Sequence, residues 1–394
     1  MRKATALETN QRGTMHNEKA IDRIRFVDVV AAVVLLFLLH GKGIAKEIRF
    51  GKPSKLLGHT APVTVMAFSP DGMKLVSGSE NGEVLVWDLS DLKPRRLVEK
   101  GPAVYGLAHL SDDRIAIAGK GKDILIVELG TGRVFHRIPH DQGTVAVLAA
   151  DSKQQVLASG GYNGEIALWK TAKWQKSESL RGHAMRVTDL AFSPDGSLLV
   201  SGGITETEFN RTTADNIRIW KVANGKLVHA LSGYGNRVTF TADGKHVVAA
   251  SLRLWSNPNA PKNFVTRTKD GSEFIVDGGQ FTTFWSCESG KKVAQIEGLG
   301  IGIASISNGT FFLAELGRPH HWDGWLYDAA RNAKEWGKTK HWPIQVGGKE
   351  MIVIQRDAFD ALVACAPVGD RFATLANDGW RQNAILLVDY EVKK

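Results

Sequence analysis

Cysteine is almost missing from this chain: 394 residues carry only Cys287 and Cys365. That excludes a disulfide framework, a zinc or haem motif built on paired cysteines, and a lipid-bearing cysteine at a mature N-terminus. The two thiols themselves fit either one disulfide or two buried free groups. Long like-charge runs and low-complexity tracts are also absent, so the body of the chain is expected to fold. Long hydrophobic stretches are scarce as well. The one pronounced run, VVAAVVLLFLL at residues 29–39, would rise about 16 Å as a helix, short of the ~30 Å hydrocarbon core.

That run has a context. Arg23 and Arg25 precede it, and Gly43 and Ala45 follow as small residues two apart. A basic segment, a short apolar segment and small residues match a secretory signal cut after Ala45, with a retained membrane anchor as the alternative. Residues 1–45 are therefore expected to be a signal peptide or anchor and residues 46–394 an exported domain, in the periplasm, secreted or at the cell surface. The net charge of +9 is concentrated at the same end, where residues 1–46 hold eight Lys and Arg against four acids. The remainder is thinly spread, which argues against nucleic acid as a partner.

The body repeats. Residues 56–91 read LLGHTAPVTVMAFSPDGMKLVSGSENGEVLVWDLSD, and 181–221 follow the same order with RGHAMRVTDLAFSPDGSLLVSGG and DNIRIWK. Val63, Val65 and Ala67 alternate with Thr64, Met66 and Phe68, and the Asp-Gly and Asn-Gly pairs turn one short strand into the next, which predicts antiparallel meanders. Weaker copies occupy 107–132, 147–170, 238–256, 274–292, 306–328 and 364–391. A period of about 40 residues, in units that cannot bury both faces alone, is the pattern of a β-propeller.

Gly58-His59 with Trp87-Asp88, and Gly182-His183 with Trp220, resemble the boundary dipeptides of the WD40-repeat family. The resemblance covers nearly all of residues 55–391. It implies an all-β fold, a WD40-like β-propeller of four-stranded antiparallel blades. Seven blades are expected if 252–277 is an insertion within one blade, and eight if it is a truncated blade. The resemblance also implies that the strand near Leu56 closes the ring as the last blade's outer strand.

Several residue sets imitate chemistry. His183, Ser201 and Asp215 contain the ingredients of a hydrolase triad, yet the resemblance assigns them, with Trp220, to a structural hydrogen-bond chain. A buried His, Ser and Trp need partners, and joining them tethers strands without orphaned polar groups. His59, Ser77 and Trp87, with Asn81, form the corresponding set in the first unit, and His140, Ser159 and Trp169, with Asn163, that in the third. No catalytic residue, cofactor or metal is expected. Adjacent His320 and His321 in RPHHWDG project to opposite sides if extended, and no third spaced ligand accompanies them.

The candidate binding surface lies elsewhere. RPHHWDG is read as the loop between strands b and c of its unit, with 325–328 as strand c; ITETEFNRTTAD (204–215) and NDGWRQN (377–383) occupy the same place in two others. Such loops leave a propeller on one face, so Phe209, Arg211, Arg318, His320, His321, Trp322, Trp380 and Arg381 are the candidate partner-binding residues. In the connector 330–348, Lys334, Lys338 and Lys340 alternate with Trp336 and Trp342, read as aromatics pinning a connector. The expected function is a non-enzymatic exported scaffold binding a protein or peptide. The alternative is a propeller enzyme, or a small-ligand or glycan-binding protein, with its site at the axial channel.

Overall fold

Strands of five or six residues, rich in Val, Ile and Leu and separated by Asn-Gly or Asp-Gly turns, pair with their sequence neighbours before anything distant. The computed structural model describes residues 48–50, 52, 54–153, 155–203, 216–231, 233, 235, 237–241, 243–252, 265–267, 273–275, 280–297, 303–306, 311–315, 339–346, 349–356, 363–365, 371–375 and 384–392. Among these residues there is no helix, and Phe50–Glu391 forms one compact unit.

The strands of each sheet are lettered a to d from the innermost outward. The first sheet is Val63–Phe68, Lys74–Ser79, Val84–Asp88 and Pro94–Val98. The second is Val104–Ser111, Arg114–Gly119, Asp123–Glu128 and Val134–Pro139; the third is Val145–Ala150, Val156–Gly161, Ile166–Lys170 and Gln175–Leu180. The fourth is Val187–Phe192, Leu198–Gly203, Ile217–Lys221 and Leu227–Leu231. All are antiparallel meanders. In the fifth, Arg237–Phe240, His246–Leu252, Gln280–Ser286 and Lys292–Glu297, a hairpin of Val265–Arg267 and Glu273–Ile275 falls between strands b and c.

The next sheet corrects the sequence reading. Phe311–Glu315 pairs with Lys349–Arg356, in parallel, and Thr339–Val346 lies outermost. The strand beside Phe311–Glu315 thus comes from beyond 325–328, the segment read as strand c, and part of the 330–348 connector is itself a strand. Residues 325–328 lie outside the described residues. In the last sheet Val363–Cys365 and Arg371–Leu375 are followed by Ala384–Val392, whose open edge takes the early strand Ser54–Leu57, with Leu56 opposite Ile385. Chain-distant strands therefore close the ring at the place expected for Leu56.

The a strands form the inner wall, each beside the next, and Val363–Cys365 neighbours Val63–Phe68. The result is an all-β WD40-like propeller. Burial falls from inside to outside: Lys74–Ser79 is buried at all but its first residue, whereas Val134–Pro139 is exposed at all but Ile138. The apolar cores belong to pairs of sheets. One joins Leu75, Leu85 and Trp87 of the first sheet to Ile385, Leu387 and Leu56 of the last; another joins Val76 and Val86 to Leu107 and Ile115 of the second. Single sheets therefore have no private core, and burial links each to its neighbours.

Two details follow from this close stacking. A Cβ on Gly78 would come within 2.6 Å of Val104 Cγ1 in the next sheet, and one on Gly160 within 2.7 Å of Val187 Cγ1. Only glycine lets the neighbouring a strand approach so closely. The plain alternation read for 63–68 is also broken: the register shifts between Val63 and Val65, and Val63, Met66 and Phe68 are the buried residues. A bulge inserts one residue and swaps the face of everything after it.

Candidate functional site

The buried polar chains are the first arrangement to weigh. Trp87 Nε1–H donates to Ser77 Oγ at 2.8 Å, and Ser77 Oγ lies 2.7 Å from His59 Nε2. His59 Nδ1 faces the Glu83 carboxylate at 3.6 Å, too long for a hydrogen bond but favourable for a proton on Nδ1. That tautomer leaves Nε2 to accept from the Ser77 hydroxyl. Burial holds His59 down at about 4 despite Glu83, so the ring is neutral at neutral pH. Burial alone would raise Glu83, but the amide and hydroxyl of Thr60 and the Arg96 guanidinium, each at 2.8 Å, keep it below its ordinary value.

The fourth sheet repeats the geometry. Trp220 Nε1–H donates to Ser201 Oγ at 2.8 Å, which lies 2.7 Å from His183 Nε2. Burial, with Arg218 nearby, lowers His183 to about 3. Gly58 and Gly182 precede these histidines because an added Cβ would press on the rings of Trp87 and Trp220, at 3.2 and 3.3 Å. Ser77 and Ser201 are fully buried, and each accepts from an indole. A nucleophile needs an exposed position and a place for the reacting carbonyl, which these serines lack.

Three of the expected partners are different. Asn81 does not meet His59; it accepts from Ser79 Oγ and donates to Thr60 Oγ1, at 2.7 and 2.9 Å, and the carboxylate near the ring belongs to Glu83. In the third sheet His140 is outside the chain altogether. Gln142 takes its place: Ser159 Oγ donates to Gln142 Oε1 at 2.6 Å while accepting from Trp169 Nε1 at 2.9 Å. Asn163 only accepts the Glu165 amide, at 3.1 Å. Asp215 lies outside the described residues. A signal for these corrections was present in the sequence, because Asn-Gly-Glu recurs at 81–83 and 163–165. Moreover, His59 and His183 stand four residues before their a strands, but His140 stands five before Val145.

The second arrangement is on the face bearing the b–c loops. Phe209, Arg211, Arg318, His320, His321, Trp322, Trp380 and Arg381 all lie outside the described residues. The strand ends that lead into two of their loops, Gly203 to Ile217 and Leu375 to Ala384, emerge on that face. The described residues add three that the sequence reading passed over. Tyr105 is the second residue of strand a of the second sheet, Tyr162 sits in the b–c turn of the third, and Arg186 immediately precedes strand a of the fourth. The Tyr105 and Tyr162 rings stack at 6.3 Å and 19°, and the Arg186 guanidinium lies 4.6 Å from the Tyr162 ring centre. Tyr162 is 40% exposed.

Comparison with known proteins decides what this frame is. The family model described as WD domain, G-beta repeat matches residues 51–88 and 174–211, which hold the two sharpest repeats. The chain carries WD40 repeats. Relatives of the WD40 chain include the B-type cell cycle switch protein ccs52B of Medicago truncatula, 31% identical over 176 residues, 43% of this chain and 34% of that protein. Another is Cell division cycle 20.5, cofactor of APC complex, of Arabidopsis thaliana, 28% identical over 200 residues, 47% of this chain and 42% of that one. A third is Apoptotic protease-activating factor 1 of Rattus norvegicus, 27% identical over 216 residues, 51% of this chain and 16% of that protein. The chain thus spans well under half the length of these relatives.

These relatives overturn the expected export. They are named for cell-cycle switching and for the APC complex, so the reading of the body as periplasmic, secreted or surface-bound falls. No helix among the described residues is long and apolar enough to cross a membrane; residues 1–45 lie outside them. The disulfide alternative falls too, because Cys287 is a free thiol, pushed up to about 12 by burial and by Asp243. Among the described residues no group of three His, Cys, Asp or Glu is placed to hold a metal.

Proposed function

We propose that this WD40 chain is a non-enzymatic scaffold that binds a protein or peptide partner through the face carrying the b–c loops. The observation that carries the reading is the Tyr105, Tyr162 and Arg186 line, contributed by three successive sheets to that face and left partly open. Aromatic and arginine side chains dominate interface hot spots, and the buried serines and histidines are consumed in holding sheets together. The role named for a relative, cofactor of a complex, extends to this chain as a role in binding other proteins. Seven blades belong to the same proposal. The hairpin of Val265–Arg267 and Glu273–Ile275 falls between two strands of one sheet, as an insertion would.

The test is affinity capture on the full chain, repeated with a Trp322→Ala, Trp380→Ala and Arg318→Ala triple variant and with Tyr162→Ala, then reconstitution with each purified candidate. Direct binding that weakens at least tenfold in either variant supports the face. Partners that bind both variants as tightly as the parent chain place the binding surface elsewhere.

A further inference from the structure

Arg186 differs from the other arginines near this face. Arg96 is committed to Glu83 at 2.8 Å, and Arg181 faces Glu165 at 3.8 Å. Arg186 has no carboxylate partner among the described residues; its recorded contact is with the Tyr162 ring. Its Nε is buried and has no hydrogen-bond partner, and Thr188 Oγ1, two residues on, is in the same condition. A buried donor left without an acceptor is costly, and a guanidinium cannot shed its charge to escape that cost. Stacking on Tyr162 holds the planar group in place, and Tyr162 is itself held by Tyr105. The cation is therefore oriented before any partner arrives, which lowers the ordering cost of binding.

We propose that Arg186, oriented by Tyr162 and Tyr105, receives the carboxylate of an Asp or Glu side chain in a peptide segment of the partner. This rests on the reading of the b–c loop face as the binding surface and names the chemistry that part of it selects. Guanidinium and carboxylate match in a planar, two-point geometry that lysine cannot reproduce. The tyrosine edge beside it offers apolar area for the residue next to the acid.

The experiment is selection of a displayed random peptide library on the full chain, followed by titration of the selected synthetic peptides. Sequences enriched in Asp or Glu are expected. Replacing the decisive acid by its amide is expected to weaken binding at least tenfold, as is Arg186→Gln in the protein, with no further loss when both changes are combined. Arg186→Lys is expected to recover only part of the affinity and Tyr162→Phe nearly all of it, while circular dichroism shows each variant folded. Selected peptides without acidic enrichment, or acidic peptides indifferent to Arg186→Gln, overturn the proposal. The two readings separate cleanly: non-acidic peptides lost on Tyr162→Ala but kept on Arg186→Gln retain the face and remove the carboxylate. Acidic peptides unaffected by any of these variants remove both.

Discussion

Ser77→Ala isolates the hydrogen-bond chain with almost no change in volume. Ser77 is fully buried, accepts the indole proton of Trp87 and lies 2.7 Å from His59 Nε2. Its removal orphans two buried groups, and each orphan costs about 1–3 kcal/mol, so a loss of about 2–6 kcal/mol is expected. The comparison within the molecule is the second sheet, where buried Ile117 and Val127 stand at the places of Ser77 and Trp87. Urea unfolding followed by tryptophan fluorescence would read the loss as a lower midpoint at unchanged slope. In a cycle with His59→Leu, the double variant is expected to fall short of the summed single losses by about 1 kcal/mol or more. A Ser77→Ala cost below about 0.5 kcal/mol, or strict additivity with His59→Leu, would refute the view that this chain tethers the blade.

Gly160→Ala should destabilise by about 1–3 kcal/mol through overpacking, since its Cβ would meet Val187 at 2.7 Å; thermal unfolding reads it directly. In the third sheet, Gln142→Ala should cost about 1–3 kcal/mol, whereas His140→Leu should be neutral or stabilising, because both His140 ring nitrogens are buried without partners; equal effects in urea would restore His140 to the chain. Stability should fall with acid. His59 and His109 sit at about 4 and His183 at about 3, all lowered from 6.5 first by burial, so the unfolded chain binds protons that the folded one refuses. The loss begins as pH drops through 6.5, grows by about 1.4 kcal/mol per pH unit for each histidine, and levels off below the folded values. A urea midpoint that stays flat from pH 6.5 to 4.5 contradicts it.

The propeller was legible because its signals are local and repeated: Asn-Gly and Asp-Gly turns, short β-branched strands and the paired boundary dipeptides. Ser77, Trp87, Ser201 and Trp220 were assigned to hydrogen-bond chains by the resemblance to WD40 repeats, not by spacing. What failed was long-range or depended on one residue of offset. The parallel pairing of Phe311–Glu315 with Lys349–Arg356 joins strands separated by residues 316–348, and no local pattern encodes such a partner choice. The bulge at Val63 and Val65 inverts the apparent alternation. Gln142 replaces His140 because the loop before Val145 is spaced differently: Gln142 stands three residues before its strand, where His59 and His183 stand four, so neither residue type nor distance pointed to it. Tyr105, Tyr162 and Arg186 lie 57 and 24 residues apart in sequence; only the ring of a strands brings them together. Leu92 and Trp174 adopt φ of 59° and 53° where the corresponding turns use Gly132, Gly225 and Gly290. Both pack against the cores between sheets, which offsets the strain of that conformation.

Hydrogen–deuterium exchange of the full chain, alone and with a reconstituted partner, tests the binding face most directly. Protection concentrated at 104–106, 161–165, 181–187, 204–215 and 376–383, with Val134–Pro139 and Leu227–Leu231 unchanged, is the result the account predicts. Protection confined to those two outer strands, or to the opposite turns at 69–73 and 193–197, would contradict it.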